Sequence, residues 1–297
     1  MRKYNKYFYH AREKLKKIHS FVFIHHFKRK MSKLITSSQN PLIKNVLLLT
    51  EKARERKNQN LVVIEGVREI RLALLSGFSI TVLLYCKDFI AENELAELTA
   101  SPENSFDLIE IPSALYNRIA YRKDHEGVIA LAVPKRFTFD ELKLRKSPLI
   151  LVLETVEKPG NLGAILRTAD AANLDAVIIC DPQTDIYNPN AIRASIGCIF
   201  TIPIVTSNSE ETIGWLRSKK IKSFGTALTG IQFYHETDFC QPAAIIMGSE
   251  ANGLSETWLK ESNTLVKIPM NGKIDSMNVS TSAAIVIFEA LRQRGFK

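Results

Sequence analysis

The chain reads as an α/β protein with two α/β units in series. Short apolar β-like runs alternate with helical patterns along its length, the alternation is interrupted once by a charged, Pro-bounded stretch, and it then restarts. With 297 residues and 45% hydrophobic composition, the chain has room for two ordinary domains, each with its own core.

In the first half, LVVIE (61–65), ITVLLYC (80–86), FDLIEI (106–111) and GVIALAVP (127–134) are expected strands, with helices near 67–76, 88–99 and 112–119 between them. PKRFTFDELKLRKSP (134–148) is weakly periodic and reads as an interdomain linker. The second half supplies strands at 149–154, 175–180, 201–205, 223–228, 243–247 and 264–270, and helices near 161–173, 189–196, 210–219, 254–260 and 279–294. The expected division is a basic tail at 1–30, a first domain at 31–134, a linker at 135–148 and a second domain at 149–297.

Charge is concentrated at one end. Residues 1–30 hold ten Lys or Arg against the single acid Glu13, which accounts for the whole formal charge of +9 and leaves 31–297 neutral. Such a segment is expected to be a disordered extension, or the product of a start upstream of Met31; a nucleic-acid-binding arm is the alternative. Any basic patch on the body must come from arrangement rather than excess charge. Cys86, Cys180, Cys198 and Cys240 form no C-x-x-C pair, so neither structural zinc nor a disulfide framework is expected, and a reducing cytoplasm is the default. No apolar run is long enough to span a membrane.

Three strand-to-helix junctions of the second half carry unusual chemistry. In EKPGNLGAILRTADAAN (157–173), Pro159-Gly160 turns the chain, Asn161 is placed to cap, and Arg167 lies about two turns into the helix. In IIMGSEANGLSE (245–256), Gly248 to Gly253 imitates a phosphate-binding loop, but Leu254 stands where that loop needs Lys, which removes the triphosphate reading. What remains is a loop of close backbone approach with one carboxylate, Glu250. In IPMNGKIDSMNVSTS (268–282), Ser280 or Thr281 is the expected N-cap, leaving Ser276 and Asn278 for hydrogen bonds to a ligand or to the other loops. No G-x-S-x-G or triad histidine accompanies these serines, so hydrogen bonding rather than a nucleophilic role is expected of them. Arg, Glu, amides and hydroxyls at strand ends suit orienting two bound substrates better than hydrolysis or redox chemistry.

NLGAILRTADA (161–171), IMGSEANGLS (246–255) and the I-P-M-x-G-x-x-x-S-M-N-V-S run (268–280) together resemble the three signature motifs of the SpoU/TrmH family of S-adenosylmethionine-dependent RNA ribose 2′-O-methyltransferases. The resemblance covers 149–297, and 34–134 is similar to the small ribosomal-protein-like substrate-binding domain found before many such catalytic domains. It implies a C-terminal SPOUT domain with a deep trefoil knot and a homodimer in which AAIVIFEAL (283–291) packs at the interface. S-adenosylmethionine would be the methyl donor, with no metal, contacted at Thr226, Gly248, Ile268 and Met277. Arg167, Asn161, Glu250, Ser276 and Asn278 would form the catalytic group, and the partner would be RNA, ribosomal before transfer RNA. Retention of all five residues speaks against a non-catalytic RNA-binding homologue, and a base or protein acceptor is a further alternative. The first motif departs from the family at Lys158, where many members carry an acid, and at Asn173, where Gly is frequent.

Overall fold

A computed structural model describes residues 33–100 and 106–296. The basic tail read at 1–30 lies outside the described residues. The first sheet runs in the order β1 (Lys33–Leu34), β4 (Asp107–Glu110), β3 (Ser79–Tyr85), β5 (Val128–Val133), β2 (Val62–Glu65). Strands β1, β3 and β4 are parallel, and β5 runs against both β3 and β2. Helices α3 (Val67–Leu75), α4 (Glu92–Thr99) and α5 (Ser113–Ile119) fall where the sequence pattern places them, α4 starting later than expected.

Two helices before β2 are additional to the sequence reading: α1 (Pro41–Glu51) and α2 (Ala53–Gln59). The local reason for α1 is plain. The Asn40 side chain accepts from the Leu42 N–H at 2.9 Å, Pro41 opens the first turn, and Ile43, Val46 and Leu49 bury one face.

The second sheet has seven strands, all parallel, in the order β10 (Gln232–Phe233), β12 (Thr264–Lys267), β9 (Lys222–Thr226), β11 (Ala243–Met247), β6 (Leu149–Glu154), β7 (Ala176–Cys180), β8 (Ile204–Ser207). Strands β6, β7 and β11 are buried along their whole length, as the apolar runs LILVL, AVIIC and AAIIM require of strands covered on both faces, with the carboxylate Glu154 buried at the end of β6. Helices α6 (Pro159–Ala171), α7 (Pro189–Ala194), α8 (Ser209–Ser218), α9 (Glu256–Glu261) and α10 (Val279–Gln293) connect or cover them. Strand β12 enters late in the chain yet fills the slot between β9 and β10, and the loop joining those two earlier strands packs over it. The Ala227 N–H donates to Val266 O at 3.0 Å, and a Cβ on Gly230 would lie 2.7 Å from the Val266 carbonyl carbon.

The stretch at 135–148, read as a linker, is laid along the second domain. Phe137 bridges to Val205 beside β8, and Phe139 stacks on Trp215 with centroids 4.7 Å apart. The two units share one hydrophobic cluster. Phe78 meets Phe200 edge-on at 5.0 Å, and Arg56, only 4% exposed, donates to Asp185 Oδ2 at 2.5 Å and to Leu49 O at 2.6 Å. These contacts fix the position of the first domain against α7 and the turn that follows it.

Candidate active site

The first motif starts a helix earlier than expected. Pro159 takes the first helical position of α6, Lys158 precedes it as N-cap residue, and no side chain caps that end. Asn161 is therefore inside the first turn and not its cap. Its side chain is released for work across the sheet: Nδ2 donates to Glu250 Oε1 and Oδ1 accepts from Asn278 Nδ2 at 3.2 Å.

Glu250 stands in the loop leaving β11. Gly248 opens that loop where no Cβ fits, since one would lie 2.1 Å from the Gly253 carbonyl carbon and 2.4 Å from Leu254 N. Ser249 and Gly253 then exchange backbone hydrogen bonds of 2.9 and 3.0 Å, closing a tight hairpin that carries Glu250 outward. The loop is anchored at its far end by buried Glu154, at the end of β6, whose Oε2 accepts from the Ser255 N–H at 2.8 Å.

The third motif is capped two residues before Ser280, the earlier of the two expected caps. Asn278, not Ser280 or Thr281, is the N-cap of α10, its Oδ1 accepting from the Ser280 N–H at 2.9 Å. The same amide thus caps with its oxygen and reaches Asn161 with its nitrogen. Asn161, Glu250 and Asn278 are brought together. Ser276 is exposed and donates to Asp275 Oδ1 at 3.3 Å, apart from that network. Arg167 is exposed on α6.

Lys158 completes the cluster, with its Nζ donating to Glu250 Oε2. Burial acts to raise the Glu250 pKa, but the hydrogen bonds from Lys158 and Asn161 and the charge of Lys158 outweigh it and hold the carboxyl below its ordinary value. The hydrogen bond to Glu250 raises Lys158 in turn. Glu250 is an ionised anchor with both oxygens occupied, which suits positioning and not proton abstraction.

The match to known proteins follows this geometry. A model of the SpoU rRNA methylase family matches residues 148–288, and a model of the MRM3-like substrate binding domain matches 40–130. A solved RNA 2′-O ribose methyltransferase is 36% identical and superposes with a TM-score of 0.76, covering 88% of this chain and 99% of that one. The chain belongs to the SpoU rRNA methylase family. The Bacillus subtilis 23S rRNA (guanosine(2553)-2′-O)-methyltransferase RlmP is 28% identical over 86% of this chain and 98% of its own length. The AdoMet-bound rRNA methyltransferase of Sinorhizobium meliloti is 28% identical with a TM-score of 0.81, covering 88% of this chain and 98% of that one.

The positions expected to touch the methyl donor in this SpoU-family chain lie at the ends of neighbouring strands. Thr226 ends β9, Gly248 follows β11, and Ile268 follows β12 and packs half-buried on the core. Met277 is half-buried just before α10. One observation fits a ligand here: the Thr226 Oγ1 is buried without a hydrogen-bond partner. A hydroxyl left so is unfavourable unless something else satisfies it. The sequence reading noted Lys158 as a departure and gave it no role. Its partner lies 92 positions away, and nothing local to the first motif shows that pairing.

Proposed function

We propose that the chain transfers a methyl group from S-adenosylmethionine to a ribose 2′-hydroxyl of ribosomal RNA. The observation that carries the reading is the convergence of three motif loops, from the ends of β6, β11 and β12, through Glu250, Asn161 and Asn278. When bound, the donor supplies a methyl already activated on a sulfonium. Thr226, Gly248, Ile268 and Met277 would hold it, with the Thr226 hydroxyl gaining its missing partner.

Placing two substrates in line supplies much of the rate of such a transfer. Lys158 and Asn161 hold Glu250, Asn161 holds Asn278, and the loops on either side of the reacting atoms are thereby kept in register. A guanidinium keeps its proton, so Arg167 acts by binding the ribose and the adjacent phosphate and by stabilising charge that develops on the 2′-oxygen. The proton leaves to phosphate or water. Ser276, exposed beside the network, is assigned to the RNA side.

Two finer features belong to the same reading. The insertion of β12 between β9 and β10 supports a trefoil knot at the donor site. A homodimer through α10 is supported by the helix's uncovered stripe, in which Ala284 and Ile285 are half-exposed and Phe288 is 42% exposed, while Ala283, Val286, Ile287 and Ala290 face the chain's own core. Among the described residues no helix is long and apolar enough to cross a membrane, and the cytoplasm is the proposed location.

The test is transfer of labelled methyl to separated ribosomal and transfer RNA, with Arg167→Ala alongside and the product digested to nucleosides. Ribose-methylated nucleoside from ribosomal RNA with wild type alone is the expected result. Label in a base, or equal label with the variant, overturns the assignment.

A further inference from the structure

The turn from Gly197 to Thr201 is wedged between helices of the two domains. On one side is α3 of the substrate-binding domain: a Cβ on Gly197, whose φ is +85°, would lie 2.9 Å from Leu72 Cδ1 and 3.1 Å from Glu69 Cα. On the other side is α6, where the Asp170 carboxylate accepts from the Thr201 hydroxyl. The turn has no slack, because a side chain at 197 would push α3 away.

Arg68 lies on α3 next to Glu69 and one helical turn before Leu72, on the side that meets this turn. It is exposed, as is Arg167 on α6. Both reach Cys198 electrostatically. Burial, the largest influence, and the nearby Asp170 push that thiol up to about 12, and the charges of Arg68 and Arg167 both pull it down. Glu69 and Leu72 place α3 on one side of the turn and Asp170 places α6 on the other, so the helices that carry Arg68 and Arg167 flank it from opposite domains. Asp170 accepts from Thr201, and buried Glu69 takes Arg122 on Oε1.

We propose that Arg68 and Arg167 form a two-domain clamp on the RNA backbone. Arg167 takes the phosphate beside the target ribose and Arg68 takes a neighbouring phosphodiester of the same strand. Arg68 is a positioning residue, since it touches the substrate strand away from the reacting atoms. Guanidiniums suit the task because their planar forks bind phosphate oxygens in pairs. The interdomain contacts of Arg56 with Asp185 and of Phe78 with Phe200 already hold α3 in place, so the clamp needs no domain closure. This inference rests on the reading that ribosomal RNA is the substrate.

The experiment measures binding of in vitro transcribed, unmodified 23S rRNA to wild type, Arg68→Ala, Arg68→Glu and Arg68→Lys over a series of salt concentrations. Donor affinity, melting temperature and single-turnover methyl transfer are measured on the same proteins. Loss of one phosphate contact should lower the slope of log affinity against log salt by roughly 0.7 to 0.9. Arg68→Ala should weaken RNA binding about tenfold, Arg68→Glu more, and Arg68→Lys should recover most of the loss. Transfer should fall most at subsaturating RNA and recover in part as RNA is raised, and donor affinity should not move. A wild-type salt slope and affinity in Arg68→Glu overturn the clamp, as does a loss of RNA binding matched by a fall in melting temperature or donor affinity. Failure of the substrate reading looks different: wild type itself would then leave no label in ribose, whatever the Arg68 variants do to RNA affinity.

Discussion

Asn278 donates its side-chain amide to Asn161 Oδ1 at 3.2 Å across 117 positions of sequence. The contact is possible because each residue has a second bond that aims it. Asn161 is turned by Glu250, and Asn278 is held by its capping bond to the Ser280 N–H. Neither amide can reverse its oxygen and nitrogen without losing two partners. The first and third motifs are thus set against each other, at the place proposed for the two substrates.

Asn161→Asp follows directly. It would replace a donor with an acceptor against the ionised Glu250 and leave that carboxylate short of a partner. A hydrogen bond to a charged group contributes about 1.5–3 kcal/mol, so methyl transfer should fall by roughly ten- to a hundredfold. Donor affinity should change less, because the donor contacts are assigned to other side chains. Single-turnover rates and calorimetric donor binding on the two proteins decide it. An unchanged rate would mean that the Asn161 bonds do not position the reacting groups.

Lys158 gives a pH-dependent expectation. Glu250 is held below its ordinary value of 4.5 in the fold, so its interactions stabilise the protein above that pH and are lost as pH falls through the folded value. Lys158→Ala removes the strongest lowering influence, and the onset of acid loss should move to higher pH. Urea melts of wild type and variant from about pH 3 to pH 7 should differ at neutral pH by the small contribution of an exposed pair, and the difference should close as pH falls through the folded value of Glu250. Curves that stay superimposed down to pH 3 would show that Lys158 does not hold the carboxylate.

The order of strands and helices in the second domain was legible because its buried parallel strands are unbroken apolar runs such as AAIIM, bounded by Gly and Pro. Asn161, Glu250 and Asn278, which the structure brings together, were legible as polar residues at strand ends. Which of them touch was not. Capping preferences favoured Ser280 over Asn278 and made a cap of Asn161, because local rules see only the nearest N–H groups and not Glu250, 89 positions away. The missed helix α1 is a different failure. Its Asn40-Pro41 start and its apolar spacing are ordinary helix signals that the sequence reading does not include. Arg68 carries no local mark at all, since its neighbours across the turn come from the other domain.

Thr226 offers a test that separates folding from binding. Its hydroxyl is buried without a partner, so Thr226→Val removes an unsatisfied group and should leave the unliganded protein as stable or slightly more so. The same change should weaken S-adenosylmethionine about tenfold, or ~1.4 kcal/mol, if the donor supplies the missing bond. Thr226→Ser should retain affinity. Equal donor affinity in Thr226→Val would remove this hydroxyl from the donor site.

The interdomain latch makes the last prediction. Arg56 is buried, with Asp185 and the Leu49 and Thr50 carbonyls as partners, at 2.5, 2.6 and 3.1 Å. Arg56→Ala would take the charged partner from Asp185 Oδ2 and leave that carboxylate only the Tyr187 N–H on Oδ1 at 3.1 Å; with Asp185 24% exposed, the loss should fall short of the full buried-pair penalty, at about 2–3 kcal/mol. Asp185→Asn keeps an acceptor for Arg56 and loses only the charge, so it should cost clearly less. The functional consequence separates the domains. Donor binding depends on loops of the second sheet and should survive in folded Arg56→Ala protein, whereas RNA binding, which needs α3 presented at a fixed distance from α6, should weaken. Denaturant melts and the two binding measurements on Arg56→Ala and Asp185→Asn test this. Equal stability of the two variants would mean that the charge, not the hydrogen bonding, is what the interface needs. Undiminished RNA affinity in Arg56→Ala would mean that the docking of the domains does not set the RNA path.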